Sequence, residues 1–315
     1  MCEIWKRPSG RELPLQQIES YQADIKRLGV RQVVLTGGEP LLHSSFGELC
    51  RTIRQCEVHI TLLSTGLLLR KRAQAIADFV DEIIISLDGP EEVHNRIRRV
   101  PKAFLLIHEG IAAVRQLKPD MPVHARSTIQ SANFALLRQT VAAAKALKCD
   151  SISFLAVDTT SSAFNRELIW PEEQKQSIGL NSTHVEALEQ EIEFLMQDNA
   201  TDFESGYIAE SPEKLRRIVN VFRSRLGQVP PIAPICNAPW VSAVIEVDGA
   251  LRPCFFHRPV SETRTQSITH AANSPEAVRF RQTLDVSKNR ICQDCVCSLN
   301  YSPNKHLDRK THIAP

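Results

Sequence analysis

The chain has 315 residues, 43% hydrophobic and 23% charged, enough for a large core and for one α/β barrel with a small second domain. Lys and Arg number 38 against 36 Asp and Glu, a net charge of +2 that offers no electrostatic grounds for a nucleic-acid or membrane-surface partner. No apolar run approaches the ~18–20 residues of a membrane span, and no basic stretch followed by an apolar one opens the sequence, so the cytoplasm is the expected compartment.

In chain order, strands are predicted over 31–36, 58–64, 82–87, 123–129 and 151–157. Several are short runs rich in Val and Ile, as parallel strands buried on both faces should be. Helical patterns separate them. Ser45 and Glu48 have the spacing of a capping box, and 133–147 carries a polar residue followed by helix formers. Strands alternating with helices imply a parallel sheet, open or closed into a barrel. From about Thr160 the pattern turns helical. Residues 183–197 place Val185, Leu188, Ile192 and Leu195 on one face, and 211–225 has Pro212 in its first turn. A Pro-rich stretch, 229–234, then marks a boundary. Beyond it, 241–247 and 250–254 read as a β-hairpin around Asp248-Gly249, followed by a helix over 274–284.

Nine cysteines stand at 2, 50, 56, 149, 236, 254, 292, 295 and 297. An odd count without a secretory leader argues against a disulfide framework. Clustered thiols near one end of such a chain bind metal. Cys50, Cys56 and Cys149 fall in or beside helical patterns and read as buried, inert thiols.

Three successive strands end in glycine plus small polar groups: Thr36-Gly37-Gly38-Glu39-Pro40, Ser64-Thr65-Gly66 and Ser86-Leu87-Asp88-Gly89-Pro90. The last is followed by His94 and arginines at 96, 98 and 99. Each could be a plain strand-to-helix turn. Turn chemistry alone, however, does not call for acceptors on every strand, and in a parallel barrel these ends surround the active site. GGEP, then STG, then SLDGPEEVHNRIR together resemble the S-adenosylmethionine site of the radical S-adenosylmethionine (radical SAM) family. The resemblance implies a partial (β/α)6 barrel. It implies that Gly37, Gly38 and Glu39 hold the methionine ammonium group, with Pro40 beside them in the cofactor-binding stretch. Ser64, Ser86, Asp88 and Arg98 would line the remaining cofactor contacts, with Arg96 the competitor of Arg98. Asn95 stands where the family often has Asp.

The family binds its [4Fe–4S] cluster through three cysteines spaced C-x3-C-x2-C, upstream of GGEP. Only Cys2 stands in a suitable place here, after Met1, as the family's third cysteine often follows a methionine; otherwise it is an incidental terminal thiol. The expectation is that the chain starts inside that motif, with the first barrel strand and two cluster cysteines missing, and that the coding sequence upstream supplies Cys-x3-Cys. In the family, three thiolates leave one iron open to chelate S-adenosylmethionine, and one-electron reduction yields a 5′-deoxyadenosyl radical. One thiolate does not hold that cluster.

The second signal is C-terminal. Cys236, twelve residues, Gly249, four residues and Cys254 match the opening of SPASM and twitch auxiliary domains in this family. Cys292-x2-Cys295-x-Cys297 follows. Any four of these five thiolates would hold one auxiliary Fe–S cluster, although the full SPASM pattern has seven cysteines. The same spacing suits a structural zinc. His257 reads as a further ligand, as a group hydrogen-bonded to one, or as a surface histidine. Asp158 reads as a substrate contact at the end of the last barrel strand or as a loop cap.

The reading is therefore α/β: a radical SAM barrel over 1–160 lacking its first strand, a helical connection over 161–230, and an auxiliary-cluster domain over 231–315. The resemblance implies hydrogen abstraction from a peptide or small molecule, with flavodoxin or ferredoxin as reductant. The alternative is a non-catalytic metal-binding relative.

Overall fold

The computed structural model describes residues 12–163 and 169–302. The chain divides into two compact units, one built on Pro14–Val157 and Pro171–Val229, the other on Asp158–Trp170 and the residues from Pro230 on.

The first unit is a parallel five-stranded sheet: β1 (Gln32–Leu35), β2 (His59–Ser64), β3 (Glu82–Ser86), β4 (Val123–Ile129) and β5 (Ser151–Ala156), in the order β1-β2-β3-β4-β5. All five fall within a residue or so of the predicted strands. Ile60, Leu62, Ile83, Ile85, Ile152 and Phe154 are fully buried, the burial expected when helices cover a parallel sheet. Helices α1 (Leu15–Arg27), α2 (Phe46–Arg54), α3 (Ala73–Phe79), α4 (Glu91–Arg98), α5 (Ala103–Leu117) and α6 (Leu137–Ala146) supply that cover. After α7 (Glu172–Ile178), helices α8 (Ser182–Asp198) and α10 (Pro212–Arg225) pack on each other, with the short α9 (Ala200–Glu204) between them.

The open edge of β5 is closed by the segment 207–210. Ile152 N–H donates to the Tyr207 carbonyl (2.8 Å) and Ala209 N–H to the Ile152 carbonyl (2.9 Å), forming a single parallel bridge. Phe154 N–H donates to the buried Glu210 carboxylate at 2.8 Å. A rudimentary sixth strand and one carboxylate thus satisfy backbone donors that a bare edge would leave open.

Two local expectations change. Ser45 precedes α2, but its side chain makes no capping bond; its N–H donates instead to His43 Nδ1 at 3.1 Å. The helix expected from 133 starts at Leu137, because Asn133 is committed to the strand ends described below. Ser211 does cap α10, accepting from Lys214 N–H.

The second unit carries a three-stranded antiparallel sheet, β6 (Val244–Ile245), β7 (Ala250–Arg252) and β8 (Ser261–Glu262), with short helices at Ile268–Ala272, Pro275–Thr283 and Arg290–Gln293. The β6–β7 turn needs Gly249: its φ is +81°, and a Cβ there would lie 2.7 Å from Arg264 Cγ. That is the physical reason for a glycine at the fixed place between Cys236 and Cys254. Among the described residues no helix is long and apolar enough to cross a membrane.

Candidate functional site

In the first unit, the C-terminal ends of β1, β2 and β3 are joined by side chains. Past β1 the chain runs through Gly37, with φ at +130°, into Glu39, whose side chain caps the short turn Pro40–Leu42 by accepting from Leu41 N–H at 3.2 Å. The same carboxylate accepts from Ser64 Oγ at 2.9 Å, from Thr65 N–H at 2.8 Å and from the Thr65 hydroxyl. Ser64 in turn accepts from Gly66 N–H at 3.0 Å. Glu39 is therefore a brace between the first two strand ends. Most of its acceptor capacity is used, and the exposed backbone of Gly37 and Gly38 stands beside it.

The third strand end is held as firmly. Asp88 is fully buried and its Oδ2 lies 2.7 Å from Arg98 Nε. Its N–H donates to His94 Nδ1 at 3.2 Å, and its carbonyl accepts from Asn133 Nδ2 at 2.9 Å. Asn133 Nδ2 also donates to the Thr128 carbonyl (3.0 Å), and its Oδ1 accepts from Gln130 N–H (2.8 Å), locking the end of β4 to that of β3. Ser86 closes β3, half-buried, in register with Arg126. Arg96 is exposed, whereas Arg98 leans onto Asp88. Asn95 Oδ1 accepts from Phe104 N–H at 2.9 Å and so tethers the start of α5. Thr65 went unassigned in the sequence, Asn133 read there as a helix cap, and His94 was noted without a role.

Asp88 Oδ1 and His94 Nε2 are buried without a hydrogen-bond partner among the described residues. An orphaned acceptor and an orphaned imidazole nitrogen beside three strand ends fit a ligand rich in hydroxyl and amino groups.

His94 also gives the barrel unit a pH dependence. Burial, reinforced by the Arg98 charge, pushes its pKa from 6.5 down to about 4. Between those values the unfolded chain binds a proton that the folded chain does not. Stability is complete above about pH 6.5 and falls as the pH drops toward 4, by about 3 kcal/mol in all. Urea unfolding at pH 7.5, 6 and 5 should show this slope in the wild type, and His94→Leu should flatten it.

In the second unit, four thiols, Cys236, Cys254, Cys292 and Cys295, line one small cavity whose remaining wall includes Pro234, Phe256, His257 and Ile291. Asn237 brings the ends together. Its N–H donates to the Leu299 carbonyl (2.7 Å), its Nδ2 to the Tyr301 carbonyl (2.7 Å), and its Oδ1 accepts from Tyr301 N–H (2.9 Å). Asn289 Oδ1 accepts from Cys292 N–H at 3.2 Å, starting the turn that carries Cys292 and Cys295. Cys297 lies beside this group, its carbonyl accepting from the Cys295 thiol at 2.8 Å, but does not line the cavity. Burial and then the neighbouring thiols push Cys292 up to about 11 and raise Cys295; burial raises Cys254 as well. These three thiols are neutral when free, and metal binding must release their protons. Among the described residues no three His, Cys, Asp or Glu are grouped to hold a single ion. The thiols ring a cavity instead, an arrangement whose donor chemistry suits a polynuclear cluster.

His257 is buried rather than on the surface. Asp158 accepts from Thr160 N–H (3.1 Å) and Oγ1 (3.2 Å) and from Ser161 Oγ, the loop-capping arrangement. Cys50 and Cys149 are buried with their thiols raised to about 12, and buried Cys56 is raised as well, so all three are unreactive. Cys2 lies outside the described residues.

Residues 1–129 match the model of the Radical SAM superfamily, and residues 236–296 match SPASM, an iron–sulfur cluster-binding domain. The AdoMet-dependent heme synthase of Methanosarcina barkeri is 28% identical over 143 residues, 44% of this chain and 40% of that protein. The GTP 3′,8-cyclase of Limosilactobacillus fermentum is 33% identical over 96 residues, 29% of each chain. The chain thus aligns with well under two thirds of the length of these relatives. Among solved structures, native anSMEcpe with bound AdoMet is similar with a TM-score of 0.63 at 15% identity, covering 94% of this chain and 86% of that one. Streptococcus suis SuiB bound to its precursor peptide SuiA is similar with a TM-score of 0.57 at 12% identity, covering 93% and 65%. These two likenesses concern the fold.

Proposed function

From the premise that this chain is a radical SAM superfamily protein with a C-terminal SPASM iron–sulfur domain, we propose that it cleaves S-adenosylmethionine reductively and abstracts hydrogen from a peptide. A [4Fe–4S] cluster and S-adenosylmethionine, which the radical SAM domain implies, supply a 5′-deoxyadenosyl radical when bound, and the SPASM domain implies an auxiliary Fe–S cluster. The observation that carries the reading is the bracing of three successive strand ends by Glu39 and Asp88 around orphaned buried polar atoms.

The residues divide the work. Glu39, fixed by Ser64, Thr65 and the turn at Pro40, holds the Gly37 and Gly38 backbone open so that their carbonyls accept from the ligand ammonium. Ser86, Asp88 and Arg98 form the polar wall toward its ribose and carboxylate, with Asp88 Oδ1 accepting a hydroxyl. Asn133 keeps this wall in register with β4. Cys2 is the cluster ligand this chain offers in the barrel domain. Cys236, Cys254, Cys292 and Cys295 hold the auxiliary cluster. Peptide is favoured over a small metabolite because the solved structures with similar folds include complexes with peptides. A flavodoxin- or ferredoxin-type reductant would deliver the electron.

Anaerobic reconstitution with iron and sulfide, followed by metal and sulfide analysis and an assay for 5′-deoxyadenosine under reductant, tests this. Iron with matching sulfide at the C-terminal cysteines is expected of this chain, and 5′-deoxyadenosine above a no-protein control is expected of the polypeptide extended upstream through Cys-x3-Cys. Zinc retained in place of iron, or no 5′-deoxyadenosine from the extended polypeptide at full iron content, would overturn the catalytic reading in favour of a non-catalytic metal-binding relative.

A further inference from the structure

One four-residue turn, Cys254 to His257, touches two of the four cavity thiols. Its first residue, Cys254, is itself one of the cavity thiols. The His257 ring reaches across the cavity, and its Nε2 lies 3.5 Å from Cys292 Sγ. His257 as a whole residue is 5% exposed. Its outer side rests edge-on against Phe280, centroids 4.9 Å apart at 70°. The turn beneath is tied down by Arg252 Nη1, which donates to the His257 carbonyl at 3.0 Å. A buried imidazole held on both sides and aimed at a thiol is a built contact. His257 also forms the wall between the thiol cavity and an open groove lined by Arg258, Glu276, Arg279 and Phe280.

We propose that His257 is a positioning residue that sets the reduction potential of the auxiliary cluster, by donating its Nε2–H to the Cys292 thiolate and shielding that sulfur from the groove. This rests on the assignment of Cys292 as a cluster ligand. A thiolate bound to iron is an acceptor, so it selects the tautomer protonated at Nε2. A donor on a ligand sulfur stabilises the extra negative charge of the reduced cluster and raises its potential. Removing the donor lowers the potential without removing a ligand.

The test compares the full chain with His257→Phe, His257→Gln and Cys292→Ala, all reconstituted anaerobically with iron and sulfide. Each is assayed for iron and sulfide per chain and titrated by EPR for the midpoint potential of its C-terminal cluster. His257→Phe keeps an aromatic ring against Phe280 and loses the donor. It should retain wild-type iron and titrate at a more negative potential. His257→Gln, which restores an amide donor on a shorter reach, should fall between the two, and it carries the test if phenylalanine is not accommodated. Cys292→Ala should lose the cluster. An unchanged potential in both His257 variants at full iron content overturns the proposal. So does loss of iron from both His257 variants to the level of Cys292→Ala with circular dichroism unchanged, which would make His257 a ligand. Wild-type protein that takes up no iron refutes the underlying site assignment instead, and the two failures are told apart by that control.

Discussion

Replacing Cys254 or Cys295 with alanine is expected to release the whole auxiliary cluster, about four iron atoms per chain, and to unfold much of the unit that begins at Pro230. Two features make the effect large. First, the four thiols surround one cavity, and removing one ligand leaves a cluster with an exposed corner and three partners. Second, the unit has little else to hold it. Among the described residues from Pro230 on, the buried aliphatic side chains larger than alanine are Leu251, Val260, Ile268 and Val296, and its strands are two or three residues long. Small domains of this kind depend on a staple, and metal binding to thiolates contributes on the order of 10 kcal/mol to folding. Iron and sulfide analysis, with limited proteolysis across residues 230–302, reads both consequences. Cys297→Ala is the internal contrast. Its thiol stands beside the cavity without lining it, so iron should stay near the wild-type level. Equal iron loss in Cys297→Ala, or retention in both Cys254→Ala and Cys295→Ala, would show that the ligand set is wrong.

The sequence made the five barrel strands legible because each is a short Val- and Ile-rich run bounded by turn residues, a signal that survives without tertiary information. Helix α1 was not among the predicted elements. Its buried residues Ile18, Tyr21 and Ile25 have helical spacing, but Gln and Glu dilute the pattern. The strand-end motifs were legible as a set, whereas their internal division of labour was not. Glu39 reads from sequence as an acceptor for a ligand. Its actual partners, Ser64 and Thr65, lie 25 and 26 residues away, and only the parallel pairing of β1 with β2 brings them to it. Asn133 is the same case at greater range. Read locally it is a helix cap, yet it donates to the Asp88 carbonyl 45 residues earlier. Local spacing predicts turns and strands well because those are local events. Braces between strand ends depend on the order of strands in the sheet, and for His257 on the fold of the small unit.

The second large effect is expected at the Asp88–Arg98 pair, and it is asymmetric. The Asp88 side chain is 1% exposed and that of Arg98 is 24% exposed. Arg98→Ala strands a carboxylate that has no other hydrogen-bond partner on either oxygen among the described residues and no route to water. Breaking a buried pair from that side costs about 3–5 kcal/mol. Asp88→Asn leaves a guanidinium that still reaches solvent, and it keeps a neutral group of the same shape whose carbonyl oxygen accepts from Arg98, so its cost is smaller, about 1–2 kcal/mol. The double variant should therefore be more stable than Arg98→Ala alone, because the stranded charge is gone. Urea unfolding of the four proteins measures this order. Binding of S-adenosylmethionine, followed by calorimetry, should weaken at least tenfold in both single variants and in the double, including Asp88→Asn, which stays folded. That combination separates the two roles of the pair: stability follows the burial of the charge, while binding follows the acceptor at Asp88 and the cation beside it. An Asp88→Asn protein with wild-type affinity would remove Asp88 from the ligand site and leave it a purely structural anchor for the end of β3.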